Sequence, residues 1–127
     1  METILEFTLI GDPRTKKNSS RFAFNKATGK RILIPSEPYK EYENNCLMQL
    51  TGKQKIGINR PINLECRYYL KTKRKCDLVN LLQASCDILA KANVITDDNF
   101  KIVESMDGSR VYYDKENPRV EIKITSK

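Results

Sequence analysis

The chain has 127 residues, with 23 Lys or Arg against 16 Asp or Glu and no His, for a formal net charge of +7. Without His there is no Ser-His or Cys-His nucleophile pair, no His-ligated zinc and no imidazole proton shuttle, so any general base is a carboxylate, a lysine or a metal-bound water. The length suits one domain spanning 1–127, its 39% of apolar residues can close a single core, and the positive excess points to an acidic partner such as nucleic acid or an anionic membrane surface.

Residues 2–10, Glu-Thr-Ile-Leu-Glu-Phe-Thr-Leu-Ile, are rich in β-branched and aromatic types and stop at Gly11-Asp12-Pro13, which predicts a strand and a turn. Acids stand here where a secretory signal carries positive charge, and no apolar stretch approaches the roughly 20 residues that span a bilayer, so the expectation is a cytosolic protein with no membrane association. Arg21–Phe24 and Lys30–Ile34 flank a loop at 25–29 containing Gly29, a hairpin pattern. A first helix is expected from a cap at Ser36, with Pro38 in its first turn, through Tyr39, Tyr42, Cys46 and Leu47 to about Leu50. After the breakers Gly52, Gly57 and Pro61, Ile62–Leu70 alternates as a strand.

The clearest element is a helix over 77–92, with Asp77 as cap and Asn93 as stop. At 100° per residue, Leu78, Leu81, Leu82, Ser85, Ile88, Leu89 and Ala92 share an arc about 120° wide, while Asp77, Asn80, Gln83, Asp87 and Lys91 share the polar arc. Beyond it, 101–106 predicts a strand opening into a turn at Asp107-Gly108, and 110–113 and 119–124 predict two more. The pattern implies an α/β domain of the α+β kind, a small mixed sheet of four to six strands covered by two helices. The cysteines at 46, 66, 76 and 86 form no Cys-x-x-Cys pair and read as small apolar fillers, a zinc site assembled from distant segments being the alternative.

Positive charge gathers in Arg14-Thr15-Lys16-Lys17-Asn18-Ser19-Ser20-Arg21 and in Lys71-Thr72-Lys73-Arg74-Lys75. With His absent, the acids are the natural ligands for a hard divalent cation. Asp77 directly follows the second basic run, and Asp97-Asp98 follows the helix. A 16-residue helix is about 24 Å long, so these acids meet only if the chain folds back along it. Asp87 lies about 15 Å from Asp77 along the axis, too far to share one ion, and is expected in a hydrogen bond or ion pair. Phe22, Phe24, Tyr68 and Tyr69 are expected to pack the core, with stacking on exposed bases as the alternative.

The segment Lys73-Arg74-Lys75-Cys76-Asp77-Leu78-Val79-Asn80-Leu81-Leu82-Gln83-Ala84-Ser85-Cys86-Asp87-Ile88-Leu89, with Ile95-Thr96-Asp97-Asp98 and Val103, resembles the RusA family of Holliday junction resolvases. Gly11-Asp12-Pro13, Lys16-Lys17-Asn18 and Arg21 are similar to that family's basic N-terminal loop, so the resemblance spans nearly the whole chain. It implies a homodimeric endonuclease that hydrolyses phosphodiester bonds in branched, four-way DNA with Mg²⁺ or Mn²⁺. By position, Asp77 and Asp98 match the first and last catalytic aspartates, with Asp97 a further metal ligand. On that activity Lys71, Lys73, Arg74 and Lys75 are expected to hold flanking phosphates, with Lys16, Lys17 and Arg21 gripping another arm of the junction, and Asn80 and Gln83 are candidate supporting residues.

Two positions depart from the family pattern. Val79 stands where the family has its middle aspartate, and Gln83 where it often has a catalytic lysine. Val79 falls near 200° on the wheel, beside the apolar arc, which suggests a packing role. In one account Asp97, Asn80, Glu104 or water completes the site. In another the protein binds junctions and cuts poorly. A third reading, a basic RNA- or ribosome-associated domain, needs no metal site and gains if Asp77 and Asp98 prove far apart.

Overall fold

The computed structural model describes residues 2–16, 20–25, 27–35 and 37–127, with the strands 20–25 and 30–35 described as backbone only. In chain order the elements are β1 (Thr3–Ile10), β2 (Ser20–Asn25), β3 (Lys30–Pro35), α1 (Glu37–Gln49), β4 (Ile62–Leu70), α2 (Leu78–Lys91), β5 (Val103–Ser105), β6 (Arg110–Tyr113) and β7 (Arg119–Ser126). Strands β2 and β3 form the expected antiparallel hairpin. The others form one five-stranded sheet, and the expected α+β domain of a mixed sheet with two helices is what the chain adopts.

Strand β4 organises that sheet. It pairs antiparallel with β7 along Ile62–Tyr69, and β7 pairs antiparallel with β1. Its other edge is shared: β5 pairs in parallel at Ile62–Asn63 and β6 in parallel at Arg67–Leu70. The turn at Asp107-Gly108 therefore does not close a hairpin, because both flanking strands follow one edge of β4. Gly108 has φ +88°, a backbone conformation that favours glycine, and a Cβ there would stand 2.8 Å from a Glu65 carboxylate oxygen, so a larger residue would also displace that side chain. The strand expected from 101 begins only at 103, since the N–H groups of Ile102 and Val103 both bond back to the Asn99 carbonyl.

Alternation sorts the two sheet faces. Ile62, Leu64, Cys66, Tyr68 and Leu70 of β4 and Val120, Ile122 and Ile124 of β7 are buried, joining Tyr39, Tyr42 and Cys46 of α1 and Leu81, Leu82, Ile88 and Leu89 of α2 in one core. Of the intervening residues of β4 and β7, Glu65, Arg67, Tyr69, Arg119 and Glu121 lie half-exposed on the opposite face, whereas Asn63 is buried. Tyr68 is fully buried and its hydroxyl shares a 2.7 Å hydrogen bond with Ser85. Tyr69, one residue on, faces the other way, stacked on Tyr112 with the Arg119 guanidinium 3.8 Å above its ring.

Cys46, Cys66 and Cys86 are the buried fillers expected, and Cys76 is half-buried. Burial pushes the Cys46 thiol up to about 11 and those of Cys66 and Cys86 up to about 12, so they stay protonated and inert. The cap expected at Ser36 and the side chains of Phe22 and Phe24 lie outside the described residues.

Candidate active site on the polar face of α2

The backbone of Asp77 is extended (φ −82°, ψ 129°), as an N-cap requires, yet its side chain makes no capping hydrogen bond. Instead the Asn80 amide, one turn on, donates to the Asp77 carboxylate at 3.3 Å. Asp77 is exposed. Its carboxylate therefore stands at the start of α2 without being spent on the helix backbone.

The chain does fold back after α2. A tight turn at 97–103 is built from its own side chains. Asp97 accepts the Asp98 N–H at 2.7 Å and the Asn99 amide at 3.0 Å, and Asn99 accepts the Lys101 N–H at 2.9 Å. The Asp98 N–H in particular, then the Asn99 amide, holds the Asp97 carboxyl below its usual range. This turn sets Asp98 against the middle of α2, where the Gln83 amide donates to Asp98 at 3.3 Å and to Asp87 at 3.1 Å. Asp98 is thus aligned with Gln83, one turn beyond the Asn80 that engages Asp77. Among the described residues, no group of three or more Asp, Glu or Cys side chains converges as a metal cluster.

Asp87 makes the ion pair expected of it, with Lys16 at 3.1 Å. The Lys16 ammonium also lies 5.7 Å from the Tyr39 ring centroid, so this lysine contacts both α1 and α2. A small concavity is lined by Lys16, Asn80, Gln83, Ala84 and Asp87. Ala84 and Cys86 are buried although they fall outside the predicted apolar arc. Ala84 lines that concavity together with Lys16, and Cys86 is close enough to Asp98 for that carboxylate's charge to add to the effect of burial on its thiol.

Val79 is corrected by the structure: it does not pack, and is 74% exposed. It sits in the first turn of α2, before the stretch that the returning 97–103 turn meets at Gln83, which leaves it largely open to solvent. An exposed valine thus occupies the solvent side of the helix start, two residues from Asp77.

The two basic segments are tied together through Asp12, a contact the sequence did not reveal. Its carboxylate accepts the Lys71 backbone N–H at 2.9 Å and the Arg74 guanidinium at 3.1 Å, and pairs with Arg14 at 3.2 Å; Arg74 also donates to the Pro13 carbonyl. Arg74 therefore holds the fold together as well as adding charge. Lys71, Lys73 and Lys75 are exposed, and Lys73 lies 5.1 Å from the Tyr113 ring centroid. Lys17 and the side chain of Arg21 lie outside the described residues.

Asp12→Ala strips these donors of their shared acceptor. We expect it to lower stability by about 1–3 kcal/mol in urea denaturation and to weaken DNA binding several-fold, although no positive charge is removed. Unchanged values for both would show that the two loops hold their places independently.

No helix among the described residues is long and apolar enough to cross a membrane. Among curated proteins, none matches the chain. The family model for endodeoxyribonuclease RusA matches residues 12–125, a span that takes in the N-terminal basic loop, α2 and the Asp97-Asp98 turn. The chain therefore belongs to the RusA family of endodeoxyribonucleases, which resolve Holliday junctions.

Proposed function

We propose that this protein is a cytoplasmic, homodimeric, Mg²⁺- or Mn²⁺-dependent nuclease that nicks four-way DNA junctions, with Asp77 and Asp98 as its catalytic carboxylates. The observation that carries the reading is the return of the chain after α2, which brings Asp98 to Gln83 on the same helix face that begins at Asp77. Lys16 borders that face, and the loop bearing Lys71, Lys73 and Lys75 leads directly into it.

The donor chemistry fits a hard cation. Asp77 and Asp98, with Asp97 and the amide oxygens of Asn80 and Gln83, offer only oxygen, and Mg²⁺ sites commonly use one or two protein carboxylates and keep several waters. A bound cation would polarise the phosphate and lower the pKa of a bound water. The protein's own groups position the substrate. Lys16, Lys71, Lys73 and Lys75, with Lys17, Arg21 and the partly committed Arg74, hold backbone phosphates, contacts that fix register without reading sequence. A two-fold symmetric dimer matches a four-way junction that must be cut twice.

A second reading, a branched-DNA binder with weakened cutting, is favoured by the absence of any three-acid group among the described residues. One assay separates the two: nicking and gel shift of a synthetic four-way junction and a linear duplex of the same sequence, with Mg²⁺, Mn²⁺ or EDTA. We expect metal-dependent nicking of the junction at least about tenfold faster than of the duplex. Junction binding without nicking in either metal selects the second reading, and equal cutting of linear duplex removes the junction selectivity.

A further inference from the structure

We infer that Asp87 is a positioning residue that holds the Lys16 ammonium at the edge of the acidic site, where Lys16 grips the backbone phosphate lying against Asp98. The inference rests on the DNA-nicking reading above and gives Lys16 a specific phosphate within it.

Three observations converge. First, a single amide, that of Gln83, reaches both Asp87 and Asp98, so the carboxylate that pairs with Lys16 and the proposed catalytic carboxylate are neighbours across one side chain. Second, the ammonium is held from two elements, by Asp87 of α2 at 3.1 Å and over the Tyr39 ring of α1 at 5.7 Å. Third, the segment delivering it is pinned: Gly11 N–H bonds to the Pro118 carbonyl, Asp12 is tied to Lys71 and Arg74, and Thr15 is 2% exposed. Lys16 is thus delivered to a fixed place, unlike a lysine at the tip of a solvated loop.

The chemistry follows from the donor count. An ammonium carries three N–H donors, so one can stay on Asp87 while another is given to a phosphate oxygen. A phosphate entering between Asp77 and Asp98 is repelled by both carboxylates, and a neighbouring cation lowers that barrier. Asp87 therefore acts through Lys16 and does not itself touch DNA.

The test is equilibrium binding of a four-way junction in EDTA, with a neutral methylphosphonate replacing one phosphate at a time around the branch. Neutralising the phosphate held by Lys16 should weaken wild-type binding several-fold. In Lys16→Gln that penalty should vanish at this one position and persist elsewhere, while Lys16→Arg retains it. Asp87→Asn should reduce the penalty at the same position and keep the melting temperature within about 3 °C of wild type, since a half-exposed ion pair adds little stability and asparagine keeps an oxygen for the Gln83 amide. Asp98→Asn should tighten binding to unmodified junction, with the gain lost when that same phosphate is neutral. A penalty lost evenly across all positions, or lost at different phosphates in the Lys16 and Asp87 variants, overturns the inference. Because only binding is read, a wild type that binds but never cuts counts against the nuclease and not against Lys16, whereas failure to bind junctions overturns both.

Discussion

Asp98→Asn is expected to reduce junction nicking by about 10²–10³-fold while leaving junction binding unchanged or tighter. The substitution keeps the shape of a half-buried side chain and an oxygen for the Gln83 amide, and it removes the charge a divalent cation requires. The turn that carries Asp98 should survive, because it is held by the Asp97 and Asn99 side chains and by the Asn99 carbonyl. Asp77→Asn should behave alike. Asparagine is as good an N-cap residue as aspartate, and the Asp77 side chain caps no backbone N–H in the first place. Single-turnover cleavage, gel shift and thermal melting together make the check. Nicking within tenfold of wild type in either variant would remove that carboxylate from the chemistry, and a lost fold would show in the melt.

Periodicity made β4 and α2 legible because each packs against the core in a regular way. Every second residue of Ile62–Leu70 from Ile62 is buried against the helices, and the 3.6-residue stripe of Leu81, Ser85, Ile88 and Leu89 meets the sheet. The breadth of the buried face of α2 was not legible. Ala84 shares a concavity with Lys16 and Cys86 lies near Asp98, neighbours that come from elsewhere in the fold, and no window around the helix contains that information. Val79 went the opposite way. Its wheel angle resembles that of Cys86, but it lies in the first turn, where the returning segment has not yet reached the helix.

The same limit governs the site. Asp77, Asp98 and the lysine runs were visible as residue types at suggestive spacings, whereas the hydrogen bonds that place them come from folding back. The fold-back could be stated as a requirement, since a 24 Å helix separates the acids, but its register could not: Asp98 meets Gln83, four residues before Asp87. Asp12 illustrates what was missed. Next to Pro13 it looks like a turn residue, and its bond to Arg74 spans 62 positions. The only available signal was an acid just ahead of the first basic segment, which many loops share.

Val79→Asp is expected to strengthen divalent-cation binding by about tenfold or more, and to do so without loss of stability. The valine is 74% exposed at the second position of α2, so replacing it removes no packing. A negative charge in a first helical turn is favourable by about 0.3–1 kcal/mol, through interaction with the unpaired N–H groups there. Asp77 is exposed at the cap, and positions two apart do not face each other on a helix, so repulsion between the two carboxylates in water should be modest. A divalent cation would draw them together, adding a third carboxylate to Asp77 and Asp98. Calorimetric titration of Mg²⁺ and Mn²⁺ into the free protein, with thermal melting in EDTA as control, reads both effects. If the half-saturating metal concentration for junction nicking falls in parallel, the exposed start of α2 is part of the cation site. A variant that melts like wild type, binds metal no better and cuts no faster would place the cation away from position 79, and Asp77 would then stand in doubt with it.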